Sequence, residues 1–251
     1  MKYLKHPFAI AALVLVAMAV AAYFLQPTPP QIDDVWFINL DKDVKRLEFY
    51  MSHAHELPKP PTRWPGTNGR QEERETARED GVCTSLSKSM DKEENKKSSK
   101  VLHNPGVIGC WLSHKRLLQH LATMPVGSHF GHLIMEDDVH LVDNFIQKWE
   151  EVRREVPSNW DIVYLGYGNI HGDKLSPHVV RWRTDKASAN WGTFGYLVRH
   201  GALPHILKQL KYMNSPIDTQ YYRMLDDLNV YMLDPALIYA DEHMPSTILT
   251  L

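Results

Sequence analysis

Cysteine is scarce in this chain: Cys83 and Cys110 are the only two among 251 residues. Two thiols define no disulfide framework, although they could form one bridge in an oxidising lumen. Neither belongs to a Cys-x-x-Cys pair, so the spacing gives little support to a zinc site. Cys110 lies in an apolar segment and reads as an inert buried thiol. Charge of one sign is also lacking. Lys and Arg number 28 against 30 Asp and Glu, for a net charge of −2. That balance excludes a nucleic-acid binder held mainly by phosphate contacts. Internal repeats are absent. At 251 residues and 43% hydrophobic composition, the chain suits one sizeable globular domain plus an appendage.

There is one long apolar run, from Phe8 to Leu25, preceded by Lys2 and Lys5 and followed by Asp33 and Asp34. Its length of about 18 residues is near the lower limit for a membrane-spanning helix. The charge bias sets residues 1–7 as a short cytosolic tail, 8–25 as a transmembrane signal-anchor and 33–251 as the domain across the membrane. Residues 26–32, with Pro27, Pro29 and Pro30, form a stiff stem. A cleaved signal peptide with Ala21-Ala22 as its small-residue site is the competing reading. The expected location is a single-pass type II membrane protein, in the ER or Golgi of a eukaryote or at the inner membrane of a bacterium.

Within the domain, Val35-Trp36-Phe37-Ile38 reads as a buried strand, followed by an amphipathic helix carrying Val44, Leu47, Phe49 and Met51. Residues 67–100 are polar and charged and read as a mobile loop or exposed helical excursion. A helix with one buried face then runs through Trp111, Lys115, Leu118 and Leu121. Leu133-Ile134-Met135, residues 160–166 and 194–198 read as further strands, with short late ones at 231–233 and 237–239. Helices are expected at about 144–156, with Phe145, Ile146, Trp149 and Val152 inward, and at 201–210. Alternating strands and helices predict an α/β domain with a mixed, largely parallel sheet flanked by helices. Ligand groups in such sheets collect beyond the carboxyl ends of the strands, where Asn39, Glu136, Asp137, Asp138 and Gly166 fall.

The stretch His132-Leu133-Ile134-Met135-Glu136-Asp137-Asp138-Val139 is the most pointed. An apolar run ends in three consecutive carboxylates, whose mutual repulsion and desolvation call for compensation. A hard divalent cation, Mn²⁺ or Mg²⁺, would supply it and bridge to substrate phosphates. A solvated acidic turn is the plain alternative.

Five segments together resemble glycosyltransferase family 25, which includes lipooligosaccharide and procollagen galactosyltransferases. They are Val35-Trp36-Phe37-Ile38-Asn39-Leu40-Asp41 with Arg46, Gly106-Val107-Ile108-Gly109-Cys110-Trp111-Leu112-Ser113-His114, Leu133 to Val139, Gly192-Thr193-Phe194-Gly195-Tyr196, and Pro216-Ile217-Asp218. The resemblance runs from about Val35 to the C-terminus, excepting the polar excursion, and implies a GT-A-type nucleotide-sugar-binding fold. It also implies an inverting transfer of a hexose, galactose or glucose, from a UDP-sugar to a hydroxyl of a glycan or protein acceptor. On that resemblance Asp138 is the direct metal ligand, with Glu136 assisting and His243 as a late ligand. Asp137 faces the sugar hydroxyls, and Asp218 is the base on the acceptor, although it could equally cap a helix. Asn39 and Arg46 are expected at the nucleotide end, and Ser113, His114, Thr193 and Tyr196 as donor contacts. Tyr196 could instead be plain sheet packing, and Trp191 could stack on a sugar or sit in the core. A non-catalytic relative acting as an adhesion or sugar-binding module is the alternative. A metal-dependent hydrolase accounts for the triplet and not for the other four segments.

Overall fold

The computed structural model describes residues 28–83, 101–183, 192–241 and 243–244. Strand β1 (Asp34–Asn39) leads into α1 (Val44–His53), β2 (Pro61–Pro65) and α2 (Arg74–Glu79). The long helix α3 (Pro105–Ala122) precedes β3 (Gly131–Glu136), β4 (Val139–Leu141) and α4 (Phe145–Val152). Then come β5 (Ile162–Gly166), β6 (Asp173–Ser176), β7 (Val179–Arg181) and β8 (Gly195–Arg199). Helices α5 (Leu203–Gln209) and α6 (Ile217–Tyr222) are followed by β9 (Val230–Leu233) and β10 (Ile238–Ala240).

Eight strands form one sheet in the order β2-β1-β3-β8-β5-β9-β7-β6, and β10 pairs with β4 beside it. Six of the eight run one way; β7 and β8 run against them. The sheet is therefore mixed and largely parallel, as expected. It is covered on both faces, which explains the unbroken apolar runs of its central strands. In β3, successive side chains alternate: Leu133 and Met135 enter a core with Phe37, Trp149 and Leu197, while Ile134 enters one with Trp111, Tyr164 and Tyr196. Helix α3 starts on a strong signal. The Asn104 side chain accepts the N–H of Gly106 at 2.8 Å, and Pro105 occupies the first turn.

Several expectations need correction. Among the described residues no helix is long and apolar enough to cross a membrane. The run at 8–25 lies outside the described residues. Over the described residues the fold is α/β, and neither the transmembrane helix expected ahead of it nor the single-pass type II location is supported there. In α1 the buried positions are Arg46 and Tyr50, one turn apart, while Val44 and Met51 are exposed. In α4 Ile146 is exposed; only Phe145 and Trp149 are buried. The polar stretch is not idle over its described part, 67–83. Arg116 of α3 bonds Glu72 at 2.6 Å and Asp80 at 2.7 Å, and the Lys115 ammonium donates to the Asp80 carbonyl. Residues 84–100 and Trp191 lie outside the described residues.

Candidate functional site

Strands β1 and β3 are parallel neighbours, with Ile38 opposite Glu136, so both end at the same edge of the sheet. Strand β8 runs the other way and begins there, with Gly195 opposite Met135. Asn39, the carboxylates 136–138 and Thr193 therefore meet, although they are up to 154 positions apart in the chain. An open cleft lies over this edge. Its walls include Lys42, Arg46, residues 67–70, Gly106, Cys110, Ser113, His114, Glu136 and Asp137.

The three carboxylates occupy three different environments. Asp137 is 4% exposed. Its Oδ1 accepts from Arg46 at 2.6 Å and its Oδ2 from the Asn39 amide at 2.6 Å. Asp138 Oδ2 takes the other arm of the Arg46 guanidinium at 2.5 Å. Glu136 has different partners: its Oε1 accepts from Thr193 Oγ1 at 3.0 Å and lies 3.6 Å from His114 Nε2. The Asn39 side chain is held in turn, donating to the Asp43 carbonyl and accepting from Arg63 Nε at 2.8 Å.

These placements separate the acidities. Burial, reinforced by Glu136, pushes the Asp138 carboxyl up to about 6 against the pull of Arg46. Burial also raises Asp137, opposed by Arg46 and Asn39. Burial would raise Glu136 too, but the His114 ring, the Thr193 hydroxyl and Arg46 together hold it below the usual value. Burial works against the Arg46 charge, yet Asp138 and Asp137 outweigh it and raise its pKa.

Helix α3 supplies the opposite wall. His114 Nδ1 lies 3.0 Å from the Tyr196 hydroxyl, which accepts from Tyr221 at 3.3 Å. Ser113 Oγ donates to the Gly109 carbonyl at 2.7 Å and accepts the N–H of Thr67 at 2.8 Å. It thereby pins the segment 67–70 across the first turns of α3. That crossing needs glycine on both sides. A Cβ on Gly109 would stand 2.5 Å from the Thr67 carbonyl oxygen, and one on Gly69 would stand 1.9 Å from that of Pro105.

A family model described as glycosyltransferase family 25 (LPS biosynthesis protein) matches residues 32–221, three quarters of the chain. The chain belongs to glycosyltransferase family 25. A search of curated proteins returns no match. Family 25 supports glycosyl transfer as the activity, with a sugar donor and a glycan acceptor as its reactants. The match covers every strand from β1 to β8 and stops within α6. It therefore ends short of β9, β10 and His243, whereas the resemblance had been read to the C-terminus.

Asn39, Arg46, Ser113, His114, Glu136, Asp137, Asp138, Thr193 and Tyr196 come together at or directly behind the cleft. Four of them are committed differently from expectation. Arg46 grips two carboxylates where a diphosphate contact was expected, and Asn39 holds Asp137 and Asp43. Asp137 lines the cleft but is buried, with each oxygen accepting a hydrogen bond from within the protein. Ser113 anchors the 67–70 segment. Asp218, in the first turn of α6, accepts the N–H of Thr219 at 2.6 Å and that of Gly192 at 3.2 Å, so it ties α6 to the Thr193 loop. His243 is exposed, and its N–H bonds Asp241, whose own N–H bonds the Asp138 carbonyl at 2.7 Å. Cys110 is half-buried on the cleft wall, not sealed in the core; burial, Glu136, Asp218 and Asp138 push its thiol well up. Sequence reading missed Lys42, Arg63 and residues 67–70. The two glycine pairs, Gly66/Gly69 and Gly106/Gly109, were the available sign of close backbone approach.

Proposed function

We propose that this protein transfers a hexose, galactose or glucose, from a UDP-sugar bound in the cleft to a hydroxyl of a glycan or protein acceptor. The observation that carries the reading is the polarity of the cleft. Its lining offers the cations Lys42 and Arg70, and with them the carboxylate Glu136. The cations suit a diphosphate.

The residues also fit a divalent cation. Asp137 and Asp138 share the Arg46 guanidinium, and burial, reinforced by the neighbouring Glu136 charge, raises the Asp138 carboxyl. Asp138, with Glu136 assisting, would hold the ion, since each Asp137 oxygen already accepts a hydrogen bond; the hard oxygen donors suit Mn²⁺ or Mg²⁺. Bound there, the ion would neutralise charge developing on the leaving diphosphate. Arg46 and Asn39 fix the geometry of the acidic turn from behind. Thr193 and His114 orient Glu136. Asp218 is assigned as the base that takes the acceptor proton in an inverting transfer, its carboxylate aimed by Gly192 and Thr219.

A panel of UDP-sugars tests this by release of UDP with and without Mn²⁺. Turnover with UDP-galactose or UDP-glucose that is lost in Asp138→Ala, with the fold intact, is the expected result. Binding without turnover would instead mark a sugar-binding relative, and neither binding nor turnover would sink the donor assignment.

A further inference from the structure

A second cation-binding set lies on the cleft wall, made of softer donors than the acidic turn. Cys110 and His114 sit one helical turn apart on α3 and face Glu136 at the end of β3. One ligand atom from each of the three lies within 4.8 Å of the other two. A tetrahedral site with thiolate, imidazole and carboxylate donors needs separations of about 3.3–3.8 Å, so shifts of about 1 Å close the set.

The surroundings are those of a prepared ligand. His114 Nδ1 is held by the Tyr196 hydroxyl, itself held by Tyr221, which leaves Nε2 directed at Glu136. A ligating histidine is commonly fixed through its other nitrogen in this way. The Tyr196 hydroxyl can donate or accept, so it follows whichever tautomer binding requires. The Thr193 hydroxyl fixes Glu136 Oε1. Cys110, His114 and Glu136 all line the cleft, which leaves room for a fourth ligand from solvent.

We propose that Cys110, His114 and Glu136 form a binding site for a zinc-class divalent ion, distinct in chemistry from the oxygen-only set at the acidic turn. A thiolate, an imidazole and one carboxylate with an open fourth position favour Zn²⁺ or Co²⁺ over Mg²⁺. On binding, the Cys110 thiol loses its proton to the buffer and the sulfur takes the metal; His114 enters as the neutral ring. Glu136 belongs to both sets, so a zinc-class ion withdraws it from the acidic turn. The site stands apart from the donor reading, because binding is read without turnover.

The test is titration of the chelator-stripped full chain with Co²⁺. A near-ultraviolet sulfur-to-cobalt charge-transfer band saturating at one equivalent is expected, displaced by Zn²⁺ and not by equimolar Mg²⁺. The band should persist in Cys83→Ser and vanish in Cys110→Ser. Glu136→Gln keeps the thiol and should weaken Co²⁺ binding at least 10-fold. Tyr196→Phe should keep the band and raise the dissociation constant about 10-fold or more, as loss of a ring-orienting partner does. No band in the unaltered chain, a band that survives in Cys110→Ser, or one lost only in Cys83→Ser would overturn the proposal. So would undiminished affinity in Glu136→Gln.

Discussion

Replacing Arg46 with methionine should cost about 3–5 kcal/mol of stability, the range for removing one partner of a buried ion pair. The side chain is nearly enclosed, and it holds Asp137 at 2.6 Å and Asp138 at 2.5 Å. Methionine keeps much of the stem's packing, so the loss isolates the charge. Asp137 would be left buried with only the Asn39 amide. Charged hydrogen bonds of this kind contribute about 1.5–3 kcal/mol each, and two of them give about 3–6 kcal/mol, which overlaps that range. For a domain of this size the melting midpoint should fall by roughly 6–20 °C. The sign of the pH dependence follows from linkage. Without Arg46, the folded pKa values of Asp137 and Asp138 rise further above the unfolded value near 3.9. The folded state then binds more protons than the unfolded one between those values, so stability falls as pH rises through that window. The deficit of Arg46→Met should be full at pH 8 and shrink towards pH 5. Urea unfolding followed by circular dichroism at both pH values measures it. In the double variant with Asp137→Asn the cost should fall well below that of Arg46→Met alone. A cost under about 1 kcal/mol, a deficit equal at both pH values, or strict additivity with Asp137→Asn would refute the reasoning.

Gly109→Ala should destabilise the chain by about 1–3 kcal/mol, because its Cβ meets the Thr67 carbonyl at 2.5 Å and the Gly69 nitrogen at 2.7 Å. The same variant should weaken UDP binding in calorimetry, since the 67–70 wall must shift. Mn²⁺ should raise the melting midpoint at pH 7.5 and much less at pH 5, where protons compete for an Asp138 carboxyl whose pKa is about 6. Asp138→Asn should flatten that difference; a shift equal at both pH values would point to another site. Trp111→Phe removes the indole donor that Gln220 Oε1 accepts at 2.8 Å in the core and should cost about 1–3 kcal/mol in urea unfolding.

The elements that were legible in the sequence are those that bury a face by themselves. Runs such as Val35–Ile38 and Ile162–Leu165 fill both layers of a covered sheet and need no partner to be recognised. Strand β2 is bounded by Pro61 and Pro65 and lies at the sheet's edge, where missing N–H groups are tolerated; nothing in its composition announces a strand. Strand β6 forms the opposite edge and is largely exposed, so it carries no apolar alternation. The acidic triplet could be placed at a strand end from sequence, but its division of labour could not. Asp137 is enclosed because Asn39 and Arg46 reach it from 98 and 91 residues away, and Glu136 is turned aside by Thr193, 57 residues on. Sequence spacing carries no trace of such pairings. Cys110 misled for a related reason: its apolar neighbours in sequence are on other faces of α3.

The insertion of β8 between β3 and β5 has a consequence for biosynthesis. Asn39 leaves the ribosome first and Thr193 last among the residues that meet at the cleft, 154 positions later. At 5–20 residues per second, about 8–30 s separate them. Once Glu136 completes β3, β1 and β3 can pair, while the far edge of β3 stays open until β8 begins at Gly195, about 3–12 s later. A nascent chain is therefore exposed to strand-to-strand association at β3 for that last part of the interval, and a chaperone holding that edge would protect the step on which the finished cleft depends.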